Sequence, residues 1–139
     1  MSKSPLAIAR ACLQAYADKD RATIEALIDD DFHFTSPLDN ALDRATYFKI
    51  CWPNSAAMMS FENVYEFEQG ERAFIVYEVQ MTTGKRFRNS EVYTVRHGKL
   101  VATEVYFKLR RKPTNMISIS FGNKKNCFSQ IVFSCNLLH

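Results

Sequence analysis

Four aromatic-rich segments, near Met58–Phe67, Ala73–Met81, Phe87–Val95 and Leu100–Lys108, follow one another with no room for a helix between them. Their joints, Gln69-Gly70, Thr83-Gly84 and His97-Gly98, are short, and each holds a glycine able to take positive φ. Such joints pair each strand with its neighbour, antiparallel. Ahead of them run two short helical patterns, a clipped strand ended by Ser36-Pro37, and a third helical pattern. Helices gathered at one end of a chain and strands at the other predict an α+β domain. The expected form is a curved antiparallel sheet closed on one side by helices, with a pocket between them.

Both faces of these strands are apolar. Phe74 and Val76 alternate with Ile75, Tyr77, Val79 and Met81, so neither side is fully solvated. One side covers the helices and the pocket; the other calls for a partner sheet. A homodimer through the outer sheet face is the expectation.

From Pro5 to Ala17, Leu6, Ala9, Leu13 and Tyr16 recur at helical spacing. Asp20-Arg-Ala-Thr opens a second helix, with Asp20 as N-cap and Ile24, Leu27 and Ile28 facing inward. The acidic run Asp29-Asp30-Asp31 disfavours the negative end of a helix and should stop it. Phe32 to Thr35 reads as a short strand. Asp43-Arg-Ala-Thr repeats the earlier tetrapeptide, capping a third helix that Pro53 ends.

At 139 residues the chain has the size of one domain. Residues 1 to 109 carry 13 basic against 15 acidic side chains, whereas residues 110 to 139 carry five basic and no acidic ones. The net charge of +3 therefore belongs to the tail, and the body offers no clustered cations for nucleic acid. That tail is an atypical basic extension with an apolar run from Cys127 to Leu138. It is an added element on the sheet, a basic arm for an anionic partner, or an unselected terminus. Four widely spaced cysteines without a CxxC pair read as reduced thiols. No stretch reaches membrane-spanning length and the amino terminus lacks a long apolar core, so a cytoplasmic protein is expected. Without i, i+4 His/carboxylate pairs or a glycine-rich phosphate loop, neither a metal nor a nucleotide cofactor is expected.

The chain resembles the nuclear transport factor 2-like superfamily, in its SnoaL-like and ketosteroid-isomerase-like branch. The resemblance spans about residues 5 to 108 and rests on the stretch from Ala17 through Asp20-Arg-Ala-Thr to Phe32, on Phe34-Thr-Ser-Pro-Leu, on Ala73-Phe-Ile-Val, and on Glu104-Val-Tyr-Phe. It implies a cone: a strongly bent sheet wrapped round helices, an apolar cavity at the open end, and often a dimer across the outer face. The scaffold hosts isomerases, cyclases, dehydratases and non-enzymatic binders, so it indicates fold better than chemistry. In the isomerases an Asp base works with a Tyr and a protonated Asp. On this resemblance the base position falls on Ser36, the tyrosine on Cys12 and the second acid on Glu91. Steroid isomerisation is therefore not expected. Tyr16, one turn beyond Cys12, is a candidate for a displaced phenol.

If Thr83-Gly84 is a two-residue turn, Glu78 sits opposite Asn89 and diagonal to Glu91, and the two glutamates share a face. An apolar wall of Phe74, Val76 and Phe87 would raise their pKa values, as acid–base work near neutrality requires. The other reading pairs these acids with Arg86, Arg88 or solvent. A two-residue turn at His97-Gly98 would put Glu104 across from Glu91, whereas one bulged residue would put Thr103, Val105 and Phe107 there and turn Glu104 outward; the resemblance, matched at Tyr106-Phe107, implies the bulge. His33 is expected on an exposed or interfacial face. Trp52 is either a flap over the cavity or core, and Tyr65 and Tyr93 are placed on the inner face, where their hydroxyls would orient a ligand.

The enzyme hypothesis is thus an isomerase, cyclase or dehydratase of a small, largely apolar carbonyl compound, with Glu91 and Glu78 as acid and base and Tyr16 or Tyr93 donating to oxygen. The alternatives are a non-catalytic carrier with the same cavity, and a dimerisation module whose tail meets another macromolecule.

Overall fold

The computed structural model describes residues 3–107. Helix α1, Pro5–Asp18, starts where the Ser4 hydroxyl accepts the Ala7 N–H at 3.2 Å, with Pro5 in the first turn, and stops at Lys19 in the left-handed region. Helix α2, Arg21–Leu27, is capped by Asp20, and α3, Arg44–Ile50, by Asp43. Each carboxylate accepts the N–H three residues on, Thr23 at 3.0 Å and Thr46 at 2.8 Å, so the repeated tetrapeptide does the same work twice. A 3-10 turn, Trp52–Ala57, leads from α3 into the strands.

The sheet has six strands: β1 (Ile28–Thr35), β2 (Leu42–Asp43), β3 (Met58–Gln69), β4 (Arg72–Met81), β5 (Arg86–Arg96) and β6 (Lys99–Tyr106). Their order is β2-β1-β6-β5-β4-β3. Every pairing is antiparallel except β1 with β6, which is parallel, so the sheet is mixed rather than wholly antiparallel. Strand β1 also begins four residues earlier than Phe32, directly at the end of α2. The α+β cone is as expected: α1 lies across β3, β4, β5 and β6 and fills the hollow of the sheet.

Which side chains face that hollow depends on two loops. Residues Thr82 to Gly84 form a three-residue loop, closed by the Met81 N–H on the Lys85 carbonyl at 2.8 Å, with Gly84 at φ 85°. The two-residue turn expected at Thr83-Gly84 is thus replaced by a loop one residue longer. Glu78 pairs with Arg88 and Tyr77 with Asn89, one position away from the expected register. Because side chains alternate along a strand, that single step sends Glu78 to the outer face. Ala73, Ile75, Tyr77, Val79 and Met81 face inward, whereas Phe74 and Val76 face out. The inward set matches the inward positions of β5, Asn89, Glu91, Tyr93 and Val95.

At the other hairpin a register shift follows Thr94, so Glu91 pairs with Val105 and Tyr93 with Thr103. This is the bulged alternative, and Glu104 is exposed. Cys12 is a free buried thiol, but Cys51 is disulfide-bonded, which corrects the expectation of four reduced thiols. The proposed extension, residues 110 to 139, lies outside the described residues. No described helix is long and apolar enough to cross a membrane.

The register makes a stability prediction. Ile75→Ala, at a fully buried position, should cost about 2–5 kcal/mol in urea unfolding. Thr94→Ala, on the outer face of β5, should change stability by no more than about 0.5 kcal/mol.

Candidate functional site

Glu91 is 5% exposed, the one carboxyl group in the described core. Its Oε1 accepts the Tyr77 hydroxyl at 2.5 Å, and the Tyr93 hydroxyl bonds the same carboxyl. Tyr77 in turn accepts from Asn89 Nδ2 at 3.0 Å. These contacts follow from the register: Tyr77 on β4 and Asn89, Glu91 and Tyr93 on β5 are inward neighbours on adjacent strands. Burial raises the Glu91 pKa above the ordinary carboxyl range, against the pull of the two phenols toward the charged form. Desolvation prevails.

Opposite this carboxyl, α1 presents Cys12 and, one turn on, Tyr16. Burial, together with the nearby Glu91, pushes the Cys12 thiol up to about 12, so it stays protonated. The Tyr16 and Tyr47 hydroxyls lie 2.5 Å apart, the second supplied by α3. Tyr47 is held by ring contacts with Phe32, Phe34 and Phe48 at 5.0 to 5.4 Å. Burial keeps all four phenols well above their ordinary range, so they remain donors.

These groups converge on one cavity. Cys12, Tyr16, Tyr47, Tyr77, Glu91 and Tyr93 line its polar part, and residues such as Leu13, Phe34, Met58, Phe61 and Leu100 line the rest. Its volume is about 30 Å³. A benzene-sized guest occupies a cavity of about 150 Å³, so the walls anticipated for a ligand-sized hollow enclose space for little more than water.

Of the residues singled out in the sequence, Glu91, Cys12, Tyr16 and Tyr93 meet at this cavity. Asn89 is buried just behind it, on Tyr77, and its Oδ1 has no partner among the described residues. Phe87, Trp52 and Phe107 are half-buried against the core without lining the cavity. Trp52 packs edge-on against Tyr16, ring centres 4.9 Å apart.

The others are corrected. Glu78 is on the outer face, bonded to Arg88 at 2.6 Å and to Arg86 at 3.3 Å, and the Arg88 hydrogen bond lowers its pKa. It cannot share acid–base work with Glu91. Phe74 and Val76 point outward for the same one-residue reason. Tyr65 is 57% exposed, because a register shift between Asn63 and Tyr65 turns it away from the hollow. Ser36 sits in the loop after β1, where its hydroxyl bonds Asp39 and accepts the Leu38 N–H at 3.1 Å. It is a turn residue and does not line the cavity of Glu91. His33 is exposed on β1, as expected.

Sequence reasoning missed Tyr47 and Tyr77 as site residues. Tyr77 was legible only from the correct loop length, and Tyr47 only from the docking of α3 on β1. Among the described residues, no group of three His, Cys, Asp or Glu side chains could hold a metal ion.

A SnoaL-like domain family matches residues 9–103. No curated protein matches the chain significantly. Among solved structures, a Kribbella flavida protein is similar at TM-score 0.70 and 17% identity, over 77% of this chain and 88% of that one. A putative polyketide cyclase from Sinorhizobium meliloti is similar at TM-score 0.62 and 14% identity, over 71% and 93%. Another from Streptomyces antibioticus is similar at TM-score 0.62 and 17% identity, over 75% and 91%.

The buried carboxyl has a measurable signature. With its folded pKa raised, Glu91 binds its proton more tightly in the native state than in the unfolded chain, where glutamate titrates near 4.5. Its contribution is present below that value and is lost as pH rises through the folded pKa. Thermal melts of Glu91→Gln should therefore lose less stability than wild type between pH 4.5 and neutrality, with the two converging at lower pH.

Proposed function

The chain belongs to the SnoaL-like domain family, and from that premise we propose that it binds a small, largely apolar carbonyl compound and catalyses proton transfer on it, in an isomerisation or ring closure. The observation that carries this reading is Glu91: a carboxyl of raised pKa at the wall of an apolar cavity, with protonated phenols around it. A carboxylate shifted upward is a stronger base, suited to removing a proton α to a carbonyl.

In such a step the C–H bond breaks, its proton goes to Glu91, and its electron pair moves through the new C=C bond onto the carbonyl oxygen. Tyr16 and Tyr47, 2.5 Å apart, are the donors for the oxygen that gains charge. Where a second C=C is conjugated with the enolate, Glu91 returns the proton to the far carbon of that dienolate, which is isomerisation; where the enolate carbon instead attacks a second carbonyl, which closes a ring, the Glu91 proton goes to the alkoxide so formed. The names of the Sinorhizobium and Streptomyces relatives agree with this chemistry. Tyr77 and Tyr93 orient the carboxyl, and Asn89 orients Tyr77. Cys12, too high in pKa to be a nucleophile, is part of the wall.

The test is exchange of the α-protons of 1-tetralone in D₂O, followed by proton NMR. The wild-type chain should speed exchange over buffer, and Glu91→Gln should reduce the catalysed rate by about 10²-fold or more. Unaltered binding of the ketone with no catalysed exchange in the wild type would establish the carrier alternative.

We also propose a homodimer through the outer face, where Tyr65, Phe67 and Tyr106 are each more than half exposed and the Phe67 ring lies tilted beside Phe74, ring centres 6.4 Å apart. Sedimentation equilibrium should give twice the chain mass for wild type and a single chain for Phe67→Lys. A wild-type monomer would remove this proposal.

A further inference from the structure

Between α1 and β3 lies a second hollow, a groove of about 240 Å³ lined by Arg10, Leu13, Gln14, Ala17, Phe61 and Asn63. Leu13 and Phe61 also line the inner cavity, so these two side chains form the partition between the compartments. The inner one is far below ligand size; together they approach it.

Phe61 stands on an unusual stretch of backbone. Strand β3 is at the edge of the sheet and, among the described residues, pairs only with β4. Its ladder is interrupted twice, between Met58 and Ser60 and between Asn63 and Tyr65, so residues 60 to 63 form a short paired island between two irregularities. Bulges loosen and re-aim the strand that carries them. Phe61 itself is only partly buried and meets Tyr77 edge-on, ring centres 5.4 Å apart at 71°. Leu13, by contrast, is fixed within a fourteen-residue helix.

The groove has its own chemistry. Arg10 is bonded to Glu66, so it brings little net charge. The Gln14 and Asn63 amide nitrogens donate to Asp18 and Glu66, at 2.9 and 2.5 Å. With the nitrogens so engaged, the amide oxygens of these two lining residues are the groups that would accept from a ligand hydroxyl.

Resting on the Glu91 reading above, we propose that Phe61 is a gate which opens the inner cavity into the α1/β3 groove, forming one elongated site for a ring ketone whose carbonyl end meets the tyrosines and whose far end bears a hydroxyl bound by Gln14 and Asn63. Phe61 is the selectivity element for length. Closed, it excludes water from Glu91.

Trp52 is the chain's single tryptophan and packs on Tyr16 at the cavity wall, so its fluorescence reports occupancy. Stopped-flow mixing with 1-tetralone should show association on the order of tenfold faster for Phe61→Ala than for wild type, because the closed population no longer limits binding. Phe61→Leu, which keeps more of the packing, should fall between them. Wild type should prefer 6-hydroxy-1-tetralone over 1-tetralone by about three- to tenfold, and a Gln14→Leu, Asn63→Leu double variant should lose that preference. Unchanged association rates in both Phe61 variants overturn the gate, and a preference that survives the double variant overturns the hydroxyl site. If Glu91→Gln abolishes exchange while either result is obtained, only this inference falls. If no variant takes up either ketone, the Glu91 reading falls with it.

Discussion

The centre of this protein depends on the hydrogen bonds that Tyr77 and Tyr93 give to Glu91. A carboxyl group moved from water to an apolar interior without partners costs several kcal/mol, roughly what a small domain has to spare. Two phenols on adjacent strands meet that cost in part, and what they leave unmet raises the proton affinity of the carboxylate. That raised proton affinity is the property that makes the carboxylate a useful base. Stability and reactivity thus draw on one arrangement, and side chains that stabilise the fold at Glu91 also set its basicity.

That arrangement is a consequence of loop length. The helix caps at Asp20 and Asp43 and the strand order from Met58 onward were legible in the sequence, because each is dictated by local residue chemistry, whereas the bulge that turns Glu104 outward was favoured only by the family resemblance at Tyr106-Phe107. The partners of Glu91 were not legible. A two-residue and a three-residue loop can both be written through Thr82-Thr83-Gly84, and the choice moves every side chain of β4 to the opposite face. The apolar pattern could not arbitrate, since Phe74 and Val76 are as hydrophobic as Ile75 and Val79. Tyr65 was misplaced for a related reason: an irregularity within β3 leaves no residue-type signature.

The small cavity bears on how the scaffold is used. A wide hollow lined by a buried carboxyl would fill with water and lower the pKa that burial had raised. Close packing around Glu91, with Phe34, Met58 and Phe61 as filling, preserves a low-dielectric setting in the absence of a guest. Ring-on-ring contacts from Phe32 and Phe48 to Tyr47 do the same for the phenol pair.

One further consequence follows from the parallel pairing of β1 with β6. Ile28 and Leu100 are partners, as are Phe34 and Thr103, so β1, which has only the two-residue β2 on its other edge, waits for the last described strand before its second edge is paired. A nascent chain leaving the ribosome can close its hairpins in turn, yet one edge of its first long strand stays unpaired until residues 99–106 have been translated. Contacts so distant along the chain slow folding and prolong exposure of sticky intermediates. During synthesis, the vulnerable part of the described domain is therefore the β6-facing edge of β1.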